Sequence, residues 1–206
     1  MIAIVDYHAG NLTSVSLAFQ SIGADSVVSG DPGVITQADH IVFPGVGAAG
    51  AAMDNLRQSQ LTDCLRQRIA AGIPFLGICL GTQILFDYLE EDGGVSGLGI
   101  LPGTVRRFKP TDRRDKIPHM GWNQAHHVRP HPLLTDIADP SDFYFVHSYY
   151  PDPVCASDVI CTTDYADTVF ASMVGRGNCV ATQFHPEKSG KRGLLMLKNF
   201  VRWDGQ

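Results

Sequence analysis

No apolar run in this sequence reaches the roughly 20 residues needed to cross a bilayer as a helix, so no segment reads as a membrane span. Basic clusters are missing as well. The 16 Lys and Arg are interspersed with 21 Asp and Glu, for a net charge of −5, which excludes the electrostatic footprint of a nucleic-acid or anionic-membrane binder. There is no C-x-x-C pair. Cys64, Cys79, Cys155, Cys161 and Cys179 form an odd, irregular set that suits a reducing compartment rather than a disulfide framework. No two histidines sit four apart with a glutamate between them, and none joins a cysteine at zinc spacing. No metal site is therefore expected, and His126, His127 and His131 read as surface or loop residues. The start, Met1-Ile-Ala-Ile-Val-Asp6, has no basic region and meets an acid at once, so it reads as a buried strand and not a signal peptide. A cytoplasmic location is the expectation. Repeats, low-complexity tracts and long polar linkers are absent too, and 206 residues suffice for one domain over 1–206 with one active site.

What is present is an alternation of short apolar runs with helical spacing, the pattern of an α/β protein. Ile2–Val5 reads as a strand; Leu12, Val15, Phe19 and Ile22 recur at helical spacing; Ile41–Phe43 is a second buried run; Leu61, Leu65 and Ile69 mark another helix before a strand leading into Cys79. Beyond it, Ile84, Leu85, Tyr88 and Leu89 predict one apolar helical face. From Gly93 to His185 glycine, proline and β-formers dominate, with strands expected near Val105–Phe108, Phe143–Tyr150, Val169–Val174 and Cys179–Phe184, and a closing helix over Leu194–Val201. The expected architecture is a mostly parallel central sheet with helices on both faces and antiparallel strands added in the C-terminal half.

The segment Ile73-Pro-Phe-Leu-Gly-Ile-Cys79-Leu-Gly81 carries chemistry. A strand-length apolar run enters a cysteine with glycines two residues before and after it, then a helical pattern, which describes a nucleophile elbow. Gly77 and Gly81 remove the clash that a Cβ would cause there. The helix N-terminus adds partial positive charge, which favours thiolate. Downstream, His185-Pro186-Glu187 supplies a base and an orienting acid. Proline holds His185 extended, and alternation aligns Glu187 with it, completing a Cys79-His185-Glu187 relay.

The run Gly45-Val-Gly47-Ala-Ala-Gly50 matches G-x-G-x-x-G after a strand, and so offers a dinucleotide reading. Leu65–Phe75 contains no acid for a ribose, and the loop does not follow the first strand. Its other use is as a source of backbone N–H groups: the amide of Leu80, with Val46 or Gly47, would form an oxyanion hole for acyl transfer. Gln83 lies one turn beyond Cys79 on the same face, where it either holds a polar substrate or faces solvent.

Gly77-Ile-Cys79-Leu-Gly-Thr-Gln83 with His185-Pro-Glu187 resembles the class I glutamine amidotransferases. Ile4-Val-Asp-Tyr7, Gly10-Asn-Leu12, Pro44-Gly-Val-Gly47, Pro118-His-Met-Gly-Trp-Asn123, Phe145-Val-His-Ser-Tyr149 and His185-Pro-Glu-Lys-Ser189 narrow the resemblance to the glutaminase subunits of imidazole glycerol phosphate synthases, in histidine biosynthesis. The resemblance implies a flavodoxin-like core, a γ-glutamyl thioester on Cys79, and L-glutamine gripped by Gln83 with the backbone around Ser148 and Tyr149. It also implies a heterodimer with a (β/α)8 cyclase subunit fed ammonia through a channel, a partner-facing surface including Asn11, His119, Trp122 and Lys188, and no cofactor. His8 and Ala48–Ala51 depart from the family's usual residues, near the expected partner surface and the oxyanion loop. The chain shows no phosphate signature or second acid–base pair to consume ammonia, which points independently to another chain. The alternatives are the glutaminase of another ammonia-using synthase, such as pyridoxal phosphate synthase, and a non-catalytic binding protein on the same fold.

Overall fold

Hydrophobic patterning resolves into strands and helices from the first residues onward. The computed structural model describes residues 1–8, 12–112 and 114–206. β1 (Ile2–Val5) is followed by α1 (Leu12–Ser21), β2 (Ser26–Ser29), α2 (Pro32–Thr36), β3 (His40–Gly45), α3 (Ala49–Gln58), α4 (Leu61–Ala70) and β4 (Phe75–Cys79). The four strands pair in parallel in the order β2-β1-β3-β4. β1 and β4 are buried at every residue, as strands covered on both faces must be, and this is why they read as unbroken apolar runs. Side-chain alternation divides the two faces. Ile2 and Ile4 pack with Val15 and Phe19 of α1, whereas Ala3 and Val5 join Met53 and Leu56 of α3 and Leu61 and Leu65 of α4.

Beyond β4 come α5 (Leu80–Gln83), β5 (Phe86–Leu89), β6 (Val95–Ser96), β7 (Leu101–Arg107), β8 (His119–His127), β9 (Ser141–His147), β10 (Tyr149–Pro153), β11 (Val159–Tyr165), β12 (Thr168–Arg176), β13 (Cys179–Thr182) and α6 (Gly190–Arg202). β13 returns to lie parallel beside β4, and β12, β11, β8 and β9 extend the sheet to nine strands by antiparallel pairing. The extension makes four pairings, as many as the parallel core, and is larger than the sequence led one to expect. β10, β7, β5 and β6 form a second, four-stranded sheet. α6 places Met196, Leu197 and Phe200 on the same face as α1.

The helix expected over Ile84–Leu89 does not form. α5 is one turn long, and the chain then becomes β5, because the carbonyls of Ile84, Leu85 and Phe86 accept the amides of Leu98, Ile100 and Gly99 from a distant segment. Non-local pairing overrides a periodicity carried by only four residues. The strand expected over Phe143–Tyr150 is broken at Ser148, so that β9 joins the large sheet and β10 the small one. β8 escapes sequence reading because its polarity is inverted: Met120 and Trp122 face outward while His119 faces in.

The tightest junction lies after β4. A Cβ on Gly81 would collide with the Phe43 carbonyl oxygen of β3, a backbone atom that cannot move aside without breaking the sheet. Gly81→Ala is expected to cost about 3 kcal/mol or more, the upper end of overpacking. The thermal midpoint should fall by roughly 10 °C. An unchanged midpoint would show that β3 and α5 do not interlock in this way.

Candidate active site

β4 delivers the chain to the carboxyl edge of the parallel strands and ends at Cys79 with φ 56° and ψ −107°, a conformation that costs an L-residue energy and persists only where its surroundings enforce it. Neighbouring glycines enforce it. A Cβ on Gly77 would lie 2.6 Å from the Gly81 carbonyl oxygen, and one on Gly45 would lie 2.7 Å from Leu80 Cβ. Cys79 itself is 7% exposed and borders a cavity of about 260 Å³. Because α5 is a single turn, its dipole is weaker than the sequence suggested. The Leu80 amide, in the first helical position, still has no intrahelical acceptor.

The candidate base arrives from the adjacent strand. β13 runs parallel to β4, so His185, just past its end, borders the same cavity. Its N–H donates to the Tyr144 carbonyl at 2.9 Å and its carbonyl accepts the Ser189 hydroxyl at 2.6 Å. His185 is extended ahead of proline, as expected, but Pro186–Lys188 is a tight 3-10 turn. That turn, and not strand alternation, swings Glu187 round so that its Oε1 stands 2.8 Å from His185 Nδ1. Both side chains are buried. His185 Nε2 interacts with the Cys79 sulfur, in a contact whose geometry falls short of a well-formed hydrogen bond. Catalytic contacts commonly tighten only when substrate binds. The electrostatic coupling is nonetheless strong. Burial opposes charge on His185, but the Cys79 sulfur and the Glu187 carboxylate outweigh it and raise the imidazole to about 10.

Amide groups surround the sulfur. Gln183 Nε2 donates to Cys79 Sγ at 3.6 Å, and the Val146 carbonyl oxygen lies 3.8 Å from the same atom. Gln83, buried and not facing solvent, donates from Nε2 to the Gln183 side-chain oxygen at 3.0 Å and to the Tyr149 carbonyl at 3.1 Å. Ser148 and Tyr149, at the break between β9 and β10, wall the cavity beside it. Gln183 was missed by the sequence reading, although its position two residues before His185 gave the signal. Glu91 was missed as well: its half-buried carboxylate lines the cavity, and burial raises its pKa while the Ala49 amide, 2.8 Å away, opposes that rise.

That contact also speaks against the dinucleotide reading of the glycine loop. The first turn of α3, where a pyrophosphate would bind, already holds the Glu91 carboxylate, and Gly45 packs against the elbow. On the other side Val46 and Gly47 border the Cys79 cavity. The Val46 amide does not point freely into it. It donates to the Tyr7 hydroxyl at 3.1 Å, and that hydroxyl lies 3.3 Å from the Val46 carbonyl oxygen.

Of the residues expected on a partner surface, Trp122 and Lys188 are exposed and Asn11 lies outside the described residues. His119 departs from expectation. It is 3% exposed, because alternation along β8 turns it inward while Met120 and Trp122 face out. No cluster of three metal-binding side chains occurs among the described residues, and none of their helices is long and apolar enough to cross a membrane.

The family model "Glutamine amidotransferase class-I" matches residues 3–203. The chain is 50% identical over 206 residues to the imidazole glycerol phosphate synthase subunit HisH of Nitrosococcus oceani, covering 99% of this chain and 98% of that protein. It is 46% identical over 211 residues to the same subunit from Chromobacterium violaceum, with 99% and 98% covered. Among solved structures, a glutamine amidotransferase superposes with a TM-score of 0.76 at 16% identity over the whole of both chains. A chain of PurLQS from Thermotoga maritima gives 0.73 at 16% identity, covering 98% of this chain and 97% of that one. At such identities the structural likeness speaks for the fold alone.

The raised His185 value has a definite sign. Its folded-state pKa of about 10 stands above the ordinary 6.5, so its contribution to stability is complete below about pH 6.5 and is lost as pH rises through about 10. Imidazole nitrogen NMR should show His185 protonated at neutral pH. In Cys79→Ala, where burial remains and the sulfur is gone, the titration should move down. A His185 titrating near 6.5 in the parent chain would contradict the coupling.

Proposed function

Since the chain belongs to the class-I glutamine amidotransferases, and among them to the imidazole glycerol phosphate synthase HisH subunits, we propose that residues 1–206 form one glutaminase domain that hydrolyses L-glutamine at Cys79 and passes the ammonia to a cyclase partner for histidine biosynthesis. The observation that carries this reading is the buried relay: a strained cysteine beside an imidazole raised to about 10, with a carboxylate 2.8 Å behind it.

The geometry supports the following sequence. The Cys79 sulfur attacks the γ-carbonyl carbon, and negative charge gathers on oxygen beside the Leu80 amide. His185 delivers its proton to the departing nitrogen, which leaves as ammonia, and the acyl group remains as a thioester on Cys79. Water then attacks the thioester, His185 takes its proton, and glutamate leaves with the sulfur restored. Glu187 fixes the imidazole and stabilises its charged form. Gln83 and the Ser148–Tyr149 backbone hold the substrate. Glu91 offers a negative charge to its ammonium group. At about 260 Å³ the cavity suits an amino acid and is small beside the roughly 300–1,000 Å³ of larger-ligand sites.

Exposed Met120, Trp122 and Lys188 lie on the segments that border this site and supply an apolar and basic surface for the partner. All five cysteines are free, as a catalytic thiol in the reducing cytoplasm requires.

Cys79→Ala is expected to abolish glutamine-dependent synthase activity in the reconstituted complex while activity with added ammonium salt persists. Glutamine turnover surviving in that variant would refute Cys79 as nucleophile. Loss of the ammonia-dependent reaction as well would point to a docking defect.

A second expectation concerns coupling. With the Val46 amide engaged by Tyr7, the oxyanion site lacks a donor, and one such donor is worth on the order of 10²–10³ in rate. Addition of the partner with its nucleotide ligand should raise kcat by at least that factor while KM changes less, because the donor acts on the transition state. Tyr7→Phe should release the amide and narrow the gap by raising kcat of the isolated chain. Equal kcat with and without the partner would sink the idea.

A further inference from the structure

Two histidines outside the triad join the wall of the pocket to the outward-facing strand β8. Asn123 Nδ2 lies 3.3 Å from His119 Nε2; His119 Nδ1 lies 3.0 Å from His147 Nε2; His147 Nδ1 lies 2.7 Å from the Tyr149 carbonyl oxygen. The ends of this chain fix its direction. An amide NH2 can only donate and a carbonyl can only accept, so two neutral rings between them must each carry their proton on Nδ1.

Both ends are anchored, and the rings are neutral. Asn123 cannot turn over, because its Nδ2 also donates to the Asp164 carbonyl at 2.9 Å and its Oδ1 accepts the Gln124 amide at 2.8 Å. Burial lowers His147 to about 3 and His119 to about 4. Aromatic walls hold the rings in place: His119 stacks on Tyr165 with centroids 3.9 Å apart, and Phe170 stands 5.2 Å from His147.

The chain continues to the nucleophile. The Tyr149 carbonyl accepts both His147 and Gln83, Gln83 also donates to Gln183, and Gln183 donates to the Cys79 sulfur. With both hydrogens of Gln83 Nε2 engaged inside the protein, Gln83 has only its acceptor oxygen left to offer a ligand. We propose that His119 and His147 are a positioning pair that fixes the Tyr149 carbonyl and, through it, the amide orientation by which Gln83 presents an acceptor to a nitrogen of the substrate. The proposal rests on the glutaminase reading. It also gives β8, whose Met120 and Trp122 face outward next to His119, a hydrogen-bonded route to the pocket.

The test compares His147→Phe, which keeps a ring but breaks the chain, with His147→Asn, whose Nδ2–H keeps a donor for the Tyr149 carbonyl. Both are measured in the complex with its partner. His147→Phe should raise KM for glutamine about tenfold, the usual consequence of losing one buried hydrogen bond, with a smaller fall in kcat. His147→Asn should recover most of the loss, and His119→Phe should shift KM in the same direction. KM within twofold of the parent in His147→Phe would overturn the proposal. So would equal damage in His147→Phe and His147→Asn, or a fall in thermal midpoint that tracks the loss of activity, since each would mark a packing role. A parent complex without glutamine-dependent activity would instead refute the glutaminase reading, before any variant is made.

Discussion

The backbone of Gly81 rests directly against the backbone of β3, with no space for a side chain between them, and the geometry of the site hangs on that approach. The helix after β4 must begin within one residue of the sheet edge, so Cys79 is driven to φ 56° and its sulfur is lifted clear of the chain. Such strain persists only because Gly77, Gly81 and Gly45 pack on either side of it. Parallel pairing then does the rest. β3 on one side and β13 on the other end at the same edge, so the Val46–Gly47 loop and His185 come to the Cys79 cavity without any long excursion of the chain.

Burial by itself would make a poor base of His185, since it disfavours the charged imidazole. The Cys79 sulfur and Glu187 reverse that outcome and favour the charged ring. Beside it, His147 and His119 meet the same burial without a carboxylate partner and are driven the other way. Three histidines close to one cavity are thus pushed in opposite directions. The difference comes from what each ring touches.

The two halves of the chain contribute different things. The parallel half supplies Cys79 and the Val46–Gly47 loop. The antiparallel half supplies the wall: β9 and β10 part at Ser148 to join different sheets, and the carbonyls of Val146 and Tyr149 on either side of the break turn toward Cys79 and Gln83. Gln83 and Gln183 bridge the halves, and both hydrogens of Gln83 Nε2 have directions imposed by their neighbours.

The sequence by itself determined the elbow, the candidate triad residues and the parallel core, although not the turn that brings Glu187 to His185. Glycines at 77 and 81 leave few other uses for that spacing, proline fixes the residue before it, and doubly covered strands show as apolar runs. These signals are local, set by sterics within a few residues. What only the tertiary structure decided depended on distant segments. The single turn of α5 and the strand after it follow from amides thirteen or more residues away. The inward placement of His119 follows from a strand whose apolar side faces out. The engagement of Val46 by Tyr7 joins residues 39 apart, and that of Gln83 by Gln183 residues 100 apart. Hydrogen-bond direction in a buried network is a property of all its members together, and no stretch of sequence contains them all.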